Sequence, residues 1–349
     1  MATLYYRARS YYQYSYIWEL YRNLGGQFIQ GTSPNFELLQ QKVGIQNSHL
    51  LKKTRKLSHQ YRGVILEMTL PRRNYLKKSK NYRYVLVYHA MGSDESFRGR
   101  HFPVTRYDYY FVSGQKDRLK YKHNSYGFGN FEKRVVPVGH LRSDLIINGV
   151  YQRKQVLDKL NIQNRNRQNI LFTPTWKKGH GTLLDTYEKF CTLIPREHNL
   201  LIRTHPYDLK NYAIVADYIQ NNHIENVYLI NSNEIDIIEN MAAADLLIGG
   251  NSSVMYDWVF YNKPLIFVQN IGTILETATW ATQAKFNIFN CGYTYNPDDD
   301  NIMELINHSL DQHPFAEQLE FLKDNTFYYN DGHANERAAD WIKDQLAQF

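Results

Sequence analysis

Residues 243–267 have the sequence AADLLIGGNSSVMYDWVFYNKPLIF, and this stretch decides the fold class. It predicts a buried strand over Asp245–Ile248, a Gly-rich loop, a helix over Ser253–Phe260 and a second strand over Pro264–Val268. Two buried strands joined through a helix form a βαβ unit, which belongs to a parallel sheet. The sequence therefore predicts an α/β fold built around this segment.

The same alternation of short apolar runs and helical patterns extends in both directions. The chain has 349 residues, which fits two domains of about 150–170 residues better than one core. We place the boundary near residue 155, with Rossmann-like domains over 1–155 and 156–349. The other predicted strands are Thr3–Tyr6, Gly26–Gly31, Val64–Met68, Tyr84–Tyr88, Tyr109–Ser113, Val135–Val138, Asn169–Thr173, Asn199–Thr204 and Val227–Ile230. The other predicted helices are Tyr11–Asn23, Asn35–Val43, one within Tyr151–Asn169, Tyr212–Asn221, Ile235–Ala243, Met303–Asp311, Phe315–Lys323 and Ala334–Ala347.

The loop after the strand Asp245–Ile248 is the strongest candidate site. In open α/β sheets, ligands bind beyond the carboxyl ends of the strands, where loop amides and helix N-termini converge. The two glycines allow close backbone approach, and two serines supply hydroxyls. We predict that phosphate binds to Gly250, Asn251, Ser252 and Ser253. A simple N-cap role for Asn251 or Ser252 is the alternative, and it is compatible with phosphate binding.

Two further strand ends in the second half carry candidate residues. A strand ends in Arg203 and is followed by Thr204, His205 and Pro206. A protonated His205, or Arg203, can neutralise a phosphate, and His205 can act as a general acid. After another strand, Thr175 offers a hydroxyl and Lys177 brings positive charge. Ordinary turn roles are the alternative at both strand ends.

In the first half, His89 directly follows the predicted strand Tyr84–Tyr88 and precedes Ala90, Met91 and Gly92. A histidine at a strand end before small residues can serve as a general base toward an acceptor hydroxyl. A structural histidine is the alternative.

The charge of the chain is uneven. The formal net charge is +7, and eleven Lys or Arg residues lie between Lys52 and Arg83 against the single acid Glu67. Such an excess attracts polyanions or an anionic leaflet. We predict a basic face for a membrane or a charged acceptor at Arg72, Arg73, Lys77 and Lys78. A solvated surface is the alternative.

The two cysteines, Cys191 and Cys291, have no metal-type spacing. They predict a reducing compartment rather than a disulfide framework. No signal-peptide pattern or bilayer-length apolar run is present, so we expect a cytoplasmic protein that is at most peripheral on the inner face of the plasma membrane. The sequence lacks a P-loop and a Gly-x-Ser-x-Gly elbow, which argues against a P-loop NTPase and a serine hydrolase.

Six motifs in order resemble those of the CDP-glycerol:polyglycerol-phosphate glycerophosphotransferases of teichoic-acid and capsule synthesis. The resemblance spans roughly Tyr84 to Arg337. The motifs are the His89 segment, Gly139–Asp144 as a Gly-x-x-Arg-x-Asp turn, Pro174-Thr175-Trp176, Arg203–Pro206, Ala243–Phe267 and Asp331–Arg337.

This resemblance implies a GT-B fold, in which two parallel-sheet domains face each other across a cleft. The donor, a CDP-activated polyol phosphate, would bind mainly to the C-terminal domain and the acceptor nearer the first. It assigns the base role to His89, the donor phosphates to His205 and the two loop serines, and Arg142 to the donor-binding set. Gly250 stands where many members have Asp, and His89 is not directly followed by Gly; both departures bear on donor identity more than on reaction type.

We therefore expect transfer of glycerol phosphate or ribitol phosphate to a lipid-linked or polymeric acceptor, with no metal or other cofactor and no nucleic-acid partner. A GT-B glycosyltransferase that uses a UDP- or GDP-sugar is the first alternative. The second is a non-catalytic module that binds a polyanion or a membrane through its basic face.

Overall fold

The computed structural model describes residues 2–7, 11–30, 48–50, 62–68, 80–88, 107–124, 130–176, 182–250, 252–269 and 283–349. The chain divides into two compact units. Unit 1 comprises Met1–Asp144 and Thr326–Phe349, and unit 2 comprises Leu145–Asn325.

Unit 1 contains a parallel sheet whose described strands follow the order β3-β2-β1-β4-β5-β6-β7. Its strands are β1 (Thr3–Arg7), β2 (Gln27–Gln30), β3 (Ser48–Leu50), β4 (Gly63–Glu67), β5 (Tyr82–Leu86), β6 (Tyr109–Val112) and β7 (Val135–Pro137). The α-helices that belong to this unit or begin in it are α1 (Trp18–Leu24), α2 (Gln115–Asn124), α3 (Ser143–Ile147) and α11 (Ala334–Ala347).

Unit 2 contains a second parallel sheet, with the order β10-β9-β8-β11-β12-β13. Its strands are β8 (Gln168–Thr173), β9 (His198–Arg203), β10 (Val227–Ile230), β11 (Leu246–Gly249), β12 (Leu265–Val268) and β13 (Tyr293–Tyr295). Its α-helices are α4 (Arg153–Lys159), α5 (Leu183–Leu193), α6 (Tyr212–Asn221), α7 (Ile237–Ala243), α8 (Val254–Trp258), α9 (Ile302–Gln312) and α10 (Ala316–Thr326).

The order of the first six strands is the same in both sheets, namely 3-2-1-4-5-6 when they are numbered within each unit. This is the doubly wound Rossmann arrangement, in which the chain reverses direction across the sheet between its first and fourth strands. That reversal lies between β1 and β4 in unit 1 and between β8 and β11 in unit 2. The predicted α/β class with two parallel sheets is confirmed.

The domain boundary needs a correction, because the C-terminal segment does not belong to the second unit. Apolar residues of α11, among them Ala338 and Ile342, pack in one core cluster with Leu4 and Tyr6 of β1 and Leu20 of α1. Burying this apolar stripe of α11 stabilises the first sheet. The predicted division into 1–155 and 156–349 is therefore wrong for residues 326–349, which complete unit 1.

Most predicted elements of the described residues occur, with small shifts at their ends. The predicted helix Tyr11–Asn23 is instead a 3-10 helix over Tyr11–Tyr16 followed by α1, as expected for a Tyr-rich run of modest helix propensity. The sequence did not predict β3, β13, α2, α3 or α5. The helix predicted over Asn35–Val43 lies outside the described residues. Within the described residues, no helix is both long and apolar enough to cross a bilayer.

Candidate active site

The candidate site lies at the carboxyl edge of the second sheet, beyond the ends of the neighbouring strands β8 and β11. Thr173 and Gly249 are paired residues at the ends of these two neighbouring strands. Gly250 follows β11, and a Cβ atom placed on it would overlap the hydroxyl oxygen of Thr175. Glycine is therefore required here for close packing, and the structure brings Gly250 and Thr175 into direct contact.

Thr175 is held by its backbone. Its N–H donates to the hydroxyl of Thr182 over 3.0 Å, and its carbonyl accepts from the Thr182 N–H over 3.0 Å. This pair fixes Thr175 at the end of β8. Lys177, which was predicted to join it, lies outside the described residues.

The two predicted serines occupy the start of α8, and both are half-buried. The Ser252 hydroxyl accepts a long hydrogen bond of 3.4 Å from the Val254 N–H, as an N-cap-like residue does. Ser253 is the residue before the helix, and its side chain makes no capping hydrogen bond. Neither serine points into the core, so both are compatible with the predicted phosphate contact. Asn251 lies outside the described residues.

His205 follows β9, which pairs with β8 on the side away from β11. Its Nδ1 accepts the backbone N–H of Tyr207 over 3.1 Å, and its ring stacks on Trp176 with centroids 5.2 Å apart and planes 22° apart. Since Trp176 directly follows Thr175, these contacts join the end of β9 to the end of β8. The structure thus brings together His205, Thr175 and Gly250 from three neighbouring strands.

The pKa of His205 bears on the chemistry that its ring can supply. Burial, and then the charge of Arg203, lowers the pKa of His205 to about 3. The ring is therefore neutral near pH 7, and because Nδ1 accepts a hydrogen bond, the proton resides on Nε2. The catalytic role of His205 stays a prediction. A neutral N–H donor is the chemistry that this ring offers.

Arg203 makes structural contacts that the sequence did not predict. Its guanidinium is buried and donates to the carbonyl of Ile235 (2.7 Å), the side-chain oxygen of Asn240 (2.7 Å) and the carbonyl of Ser232 (3.2 Å). These bonds tie the end of β9 to the segment that leads into α7. The geometry supports a positioning role rather than direct contact with a phosphate.

Arg142 belongs to unit 1 and not to the unit that holds the Gly-Ser loop. It is buried, donates to the Ser15 hydroxyl over 3.2 Å and lies 4.2 Å from the centre of the Tyr16 ring. Its predicted place among the donor-binding residues stays a prediction. It packs the segment 11–16 against the motif Gly139–Asp144.

That motif and Asp331–Arg337 form one structural cluster in unit 1. Asp144 accepts hydrogen bonds from the N–H groups of Ala334 (3.1 Å) and Asn335 (2.7 Å) at the start of α11. Arg337 donates to the carbonyl of Val138 over 2.9 Å. Two of the six motifs therefore anchor the C-terminal helix.

His89 lies outside the described residues, as do Arg72, Arg73, Lys77 and Lys78. The base role of His89 and the basic face stay predictions. Within the described ranges, no three His, Cys, Asp or Glu side chains are grouped in a way that could hold a metal ion.

From the sequence, no functional role was predicted for Trp176 or for Tyr207. The side chains of both are exposed, at 42% and 54% respectively. The available signal was their position, since Trp176 follows Thr175 and Tyr207 follows His205 and Pro206. Ring contacts between separate loops, however, cannot be derived from sequence spacing.

The chain was compared with known families and proteins. The family model described as CDP-glycerol:poly(glycerophosphate) glycerophosphotransferase matches residues 3–344. The teichoic acid ribitol-phosphate polymerase TarK of Staphylococcus aureus is 28% identical over 172 residues, which cover 45% of this chain and 31% of that protein. The teichoic acid glycerol-phosphate primase of Bacillus subtilis is 25% identical over 277 residues, covering 73% of this chain and 67% of that protein. The match thus spans about a third of the S. aureus polymerase.

Solved structures agree on the fold. The wall teichoic acid polymerase TagF superimposes with a TM-score of 0.66 at 16% identity, over 99% of this chain and 89% of that chain. The S. aureus MnaA–UDP co-structure gives a TM-score of 0.63 at 12% identity, over 100% and 98% of the two chains. At these identities the likeness shows the fold alone, and the predicted GT-B type is confirmed.

Proposed function

The chain belongs to the CDP-glycerol:poly(glycerophosphate) glycerophosphotransferase family, and from that premise we propose that it transfers a polyol phosphate from a CDP-activated donor to a hydroxyl of a growing glycan or polyol-phosphate chain. The observation that carries the proposal is the contact between Gly250 and Thr175 at the second sheet's reversal point, with His205 adjacent. This edge of the sheet supplies small residues, hydroxyls and a neutral N–H donor. A diphosphate can accept hydrogen bonds from such groups.

In the proposed reaction, the acceptor oxygen attacks the β-phosphorus of the donor in line. The bond between that phosphorus and the bridging oxygen breaks, CMP leaves with the bond's electron pair, and the acceptor hydroxyl gives up its proton. His89 would accept this proton. General base catalysis of this kind contributes about 10²–10⁴-fold.

The described residues would act on the donor phosphates by electrostatic stabilisation. The Thr175 hydroxyl, the hydroxyls of Ser252 and Ser253, and the Nε2–H of His205 are the donors that this edge supplies. One preorganised donor to a developing charge contributes about 10²–10³-fold to turnover. We propose that no metal or other cofactor is needed, so that chelation by EDTA leaves turnover unchanged.

Release of CMP from CDP-glycerol and CDP-ribitol tests the proposal. We expect turnover with at least one of them, and loss in His89→Ala, His205→Ala and Thr175→Val variants that remain folded. Thr175→Ser is the matched control because it keeps the hydroxyl. No turnover, together with no thermal shift for any cytidine nucleotide, would contradict the proposal. A shift with UDP or GDP alone would favour the glycosyltransferase alternative.

We further propose that Arg72, Arg73, Lys77 and Lys78 hold the enzyme at an anionic membrane near a lipid-linked acceptor. The support is the charge of residues 52–83, since each basic residue near such a surface contributes about 1 kcal/mol. Co-sedimentation with vesicles tests this. Binding should need anionic lipid and should weaken when these four residues are changed to Glu; equal binding to neutral vesicles would contradict it.

A further inference from the structure

Two exposed aromatic rings stand next to the candidate phosphate site. Trp176 and Tyr207 are in edge-to-face contact, with ring centroids 4.8 Å apart and planes at 65°. The His205 ring lies 5.2 Å from Trp176 and 5.4 Å from Tyr207, so the three rings form one cluster. Although they touch one another, Trp176 and Tyr207 remain 42% and 54% exposed.

This cluster is preorganised by the backbone beneath it. His205 has extended backbone angles and begins a 3-10 helix with Pro206 in its first position. The hydrogen bond from the Tyr207 N–H to His205 Nδ1 sets the imidazole's orientation. On the other side, the two hydrogen bonds between Thr175 and Thr182 fix the residue that precedes Trp176. A rigid aromatic surface loses little entropy when a ligand binds to it.

We propose that Trp176 and Tyr207 form a stacking platform for the nucleobase of the activated donor. This inference rests on the proposed function. A polyol phosphate is acyclic and has no flat face, whereas a nucleoside diphosphate carries one planar aromatic ring. Exposed aromatic side chains bind nucleobases by stacking. The platform therefore matches the ring of the donor and not the group that is transferred.

The platform directly follows the candidate phosphate site along the chain. Thr175 contacts Gly250 in the candidate phosphate site, and the next Cα atom along the chain, that of Trp176, lies about 3.8 Å away. Phosphate contacts and ring contacts are thus one residue apart. The imidazole in the cluster is neutral near pH 7 because its pKa is about 3, so the platform suits an uncharged base such as cytosine.

Calorimetric titration of the full chain with CDP and with inorganic pyrophosphate tests the proposal. Stacking on one aromatic side chain contributes an amount that corresponds to about 5- to 150-fold in affinity. We therefore expect Trp176→Leu and Tyr207→Leu to weaken CDP binding by about this factor and to leave pyrophosphate binding unchanged. Trp176→Phe should retain CDP binding within about threefold. Phe321→Leu, which removes another exposed aromatic ring of unit 2, is the matched control.

Tryptophan fluorescence gives a second readout. CDP should quench the emission of the wild-type chain, and the quench should shrink in Trp176→Phe although calorimetry still shows binding. Unchanged CDP affinity in a folded Trp176→Leu/Tyr207→Leu double variant would overturn the platform and leave the proposed function standing. A double variant that keeps its CDP affinity but loses affinity for the acceptor polymer would also overturn it. A wild-type chain that binds no cytidine nucleotide would overturn the proposed function and the platform together.

Discussion

The two sheets share one strand order, yet the points where the chain reverses direction are built differently. In unit 1, β1 and β4 end in Arg7 and Glu67, which are paired in register and form a buried ion pair of 2.8 Å. In unit 2, the equivalent strands β8 and β11 end in Thr173 and Gly249. An ion pair fills the first position, whereas small residues line the second.

The difference separates what topology provides from what side chains provide. The doubly wound order creates a place for a ligand beyond the strand ends in each sheet. Whether a ligand can use that place depends on the residues there. Two long charged side chains that bond each other occupy it in unit 1, while in unit 2 the small residue Gly250 packs against the Thr175 hydroxyl.

The largest expected effect comes from breaking the ion pair of unit 1. Glu67→Gln or Arg7→Met leaves one buried charge without its partner, and we expect a loss of about 3–5 kcal/mol in the free energy of unfolding. The double variant Arg7→Met/Glu67→Leu should regain most of this loss, because no buried charge remains. Urea denaturation measures all three. Single variants as stable as the wild type would show that the pair does not hold unit 1 together.

The second-largest expected effect is a loss of activity when the loop that follows β11 in unit 2 is changed. In Gly250→Ala, the added methyl group meets the Thr175 hydroxyl, so the loop must shift. A displacement of about 1 Å at a reacting group costs about 10²-fold in rate, and we expect a loss of that order in CMP release. Gly25→Ala is the control, because Gly25 has a φ of 62° but open space around it. That variant should lose about 1–3 kcal/mol of stability, because the ψ of Gly25 is −149° and this backbone conformation is almost restricted to glycine, and it should lose no specific activity. Full activity in a folded Gly250→Ala would place the donor phosphates elsewhere.

His140 of unit 1 and His205 of unit 2 are expected to affect different properties, namely stability and turnover. Burial, and then the Arg142 charge, lowers the pKa of His140 to about 3, against the effect of Asp117. In the unfolded chain its pKa is about 6.5. Below pH 6.5 the unfolded chain therefore binds a proton that the folded chain does not. The stability contributed by the neutral ring is fully present above pH 6.5 and is lost as the pH falls toward 3, by at most about 1.4 kcal/mol per pH unit.

His140→Gln should reduce this pH dependence of unfolding only in part, because the pKa of His205 is lowered in the same way, and should leave turnover unchanged at pH 7.5. His205→Gln, in contrast, should lower the rate of CMP release about tenfold or more. Because the His205 ring stays neutral between pH 5 and 8, the shape of the pH–rate profile should not change in that variant. A limb of the profile that disappears with His205 would instead show that it transfers a proton.

The sequence was most informative where chemistry and position coincide. The stretch Asp245–Ser253 predicted strand, loop and helix start together, because apolar strand residues, glycines and serines each favour one of these structures. The same logic was less complete at Arg203 and Arg142. A charged residue at a strand end or in a turn predicts a ligand contact, yet both guanidiniums are satisfied by acceptors or rings far away in sequence.

The missed elements have equally specific causes. Helix α5 buries Leu183, Tyr187 and Phe190 at helical spacing, so its periodicity was available in the sequence. The packing of α11 against the first sheet could not be predicted, because the sequence pattern of an amphipathic helix does not indicate which sheet the helix covers. The Arg7–Glu67 pair likewise depends on two strands that are adjacent only in the folded sheet.

The smallest effect concerns the cap that fastens α11 to unit 1. Asp144 is buried and accepts three hydrogen bonds from Ala334 and Asn335 at the start of the helix. Losing such a cap costs about 1 kcal/mol, so Asp144→Ala should lower the unfolding free energy by about that amount. Asp144→Asn should cost less because its amide oxygen still accepts. Turnover at 25 °C should stay at the wild-type level in both variants, since the described donor-site residues all lie in unit 2. A loss of turnover without a loss of stability would mean that the motif Gly139–Asp144 acts in the reaction and does not serve only as an anchor.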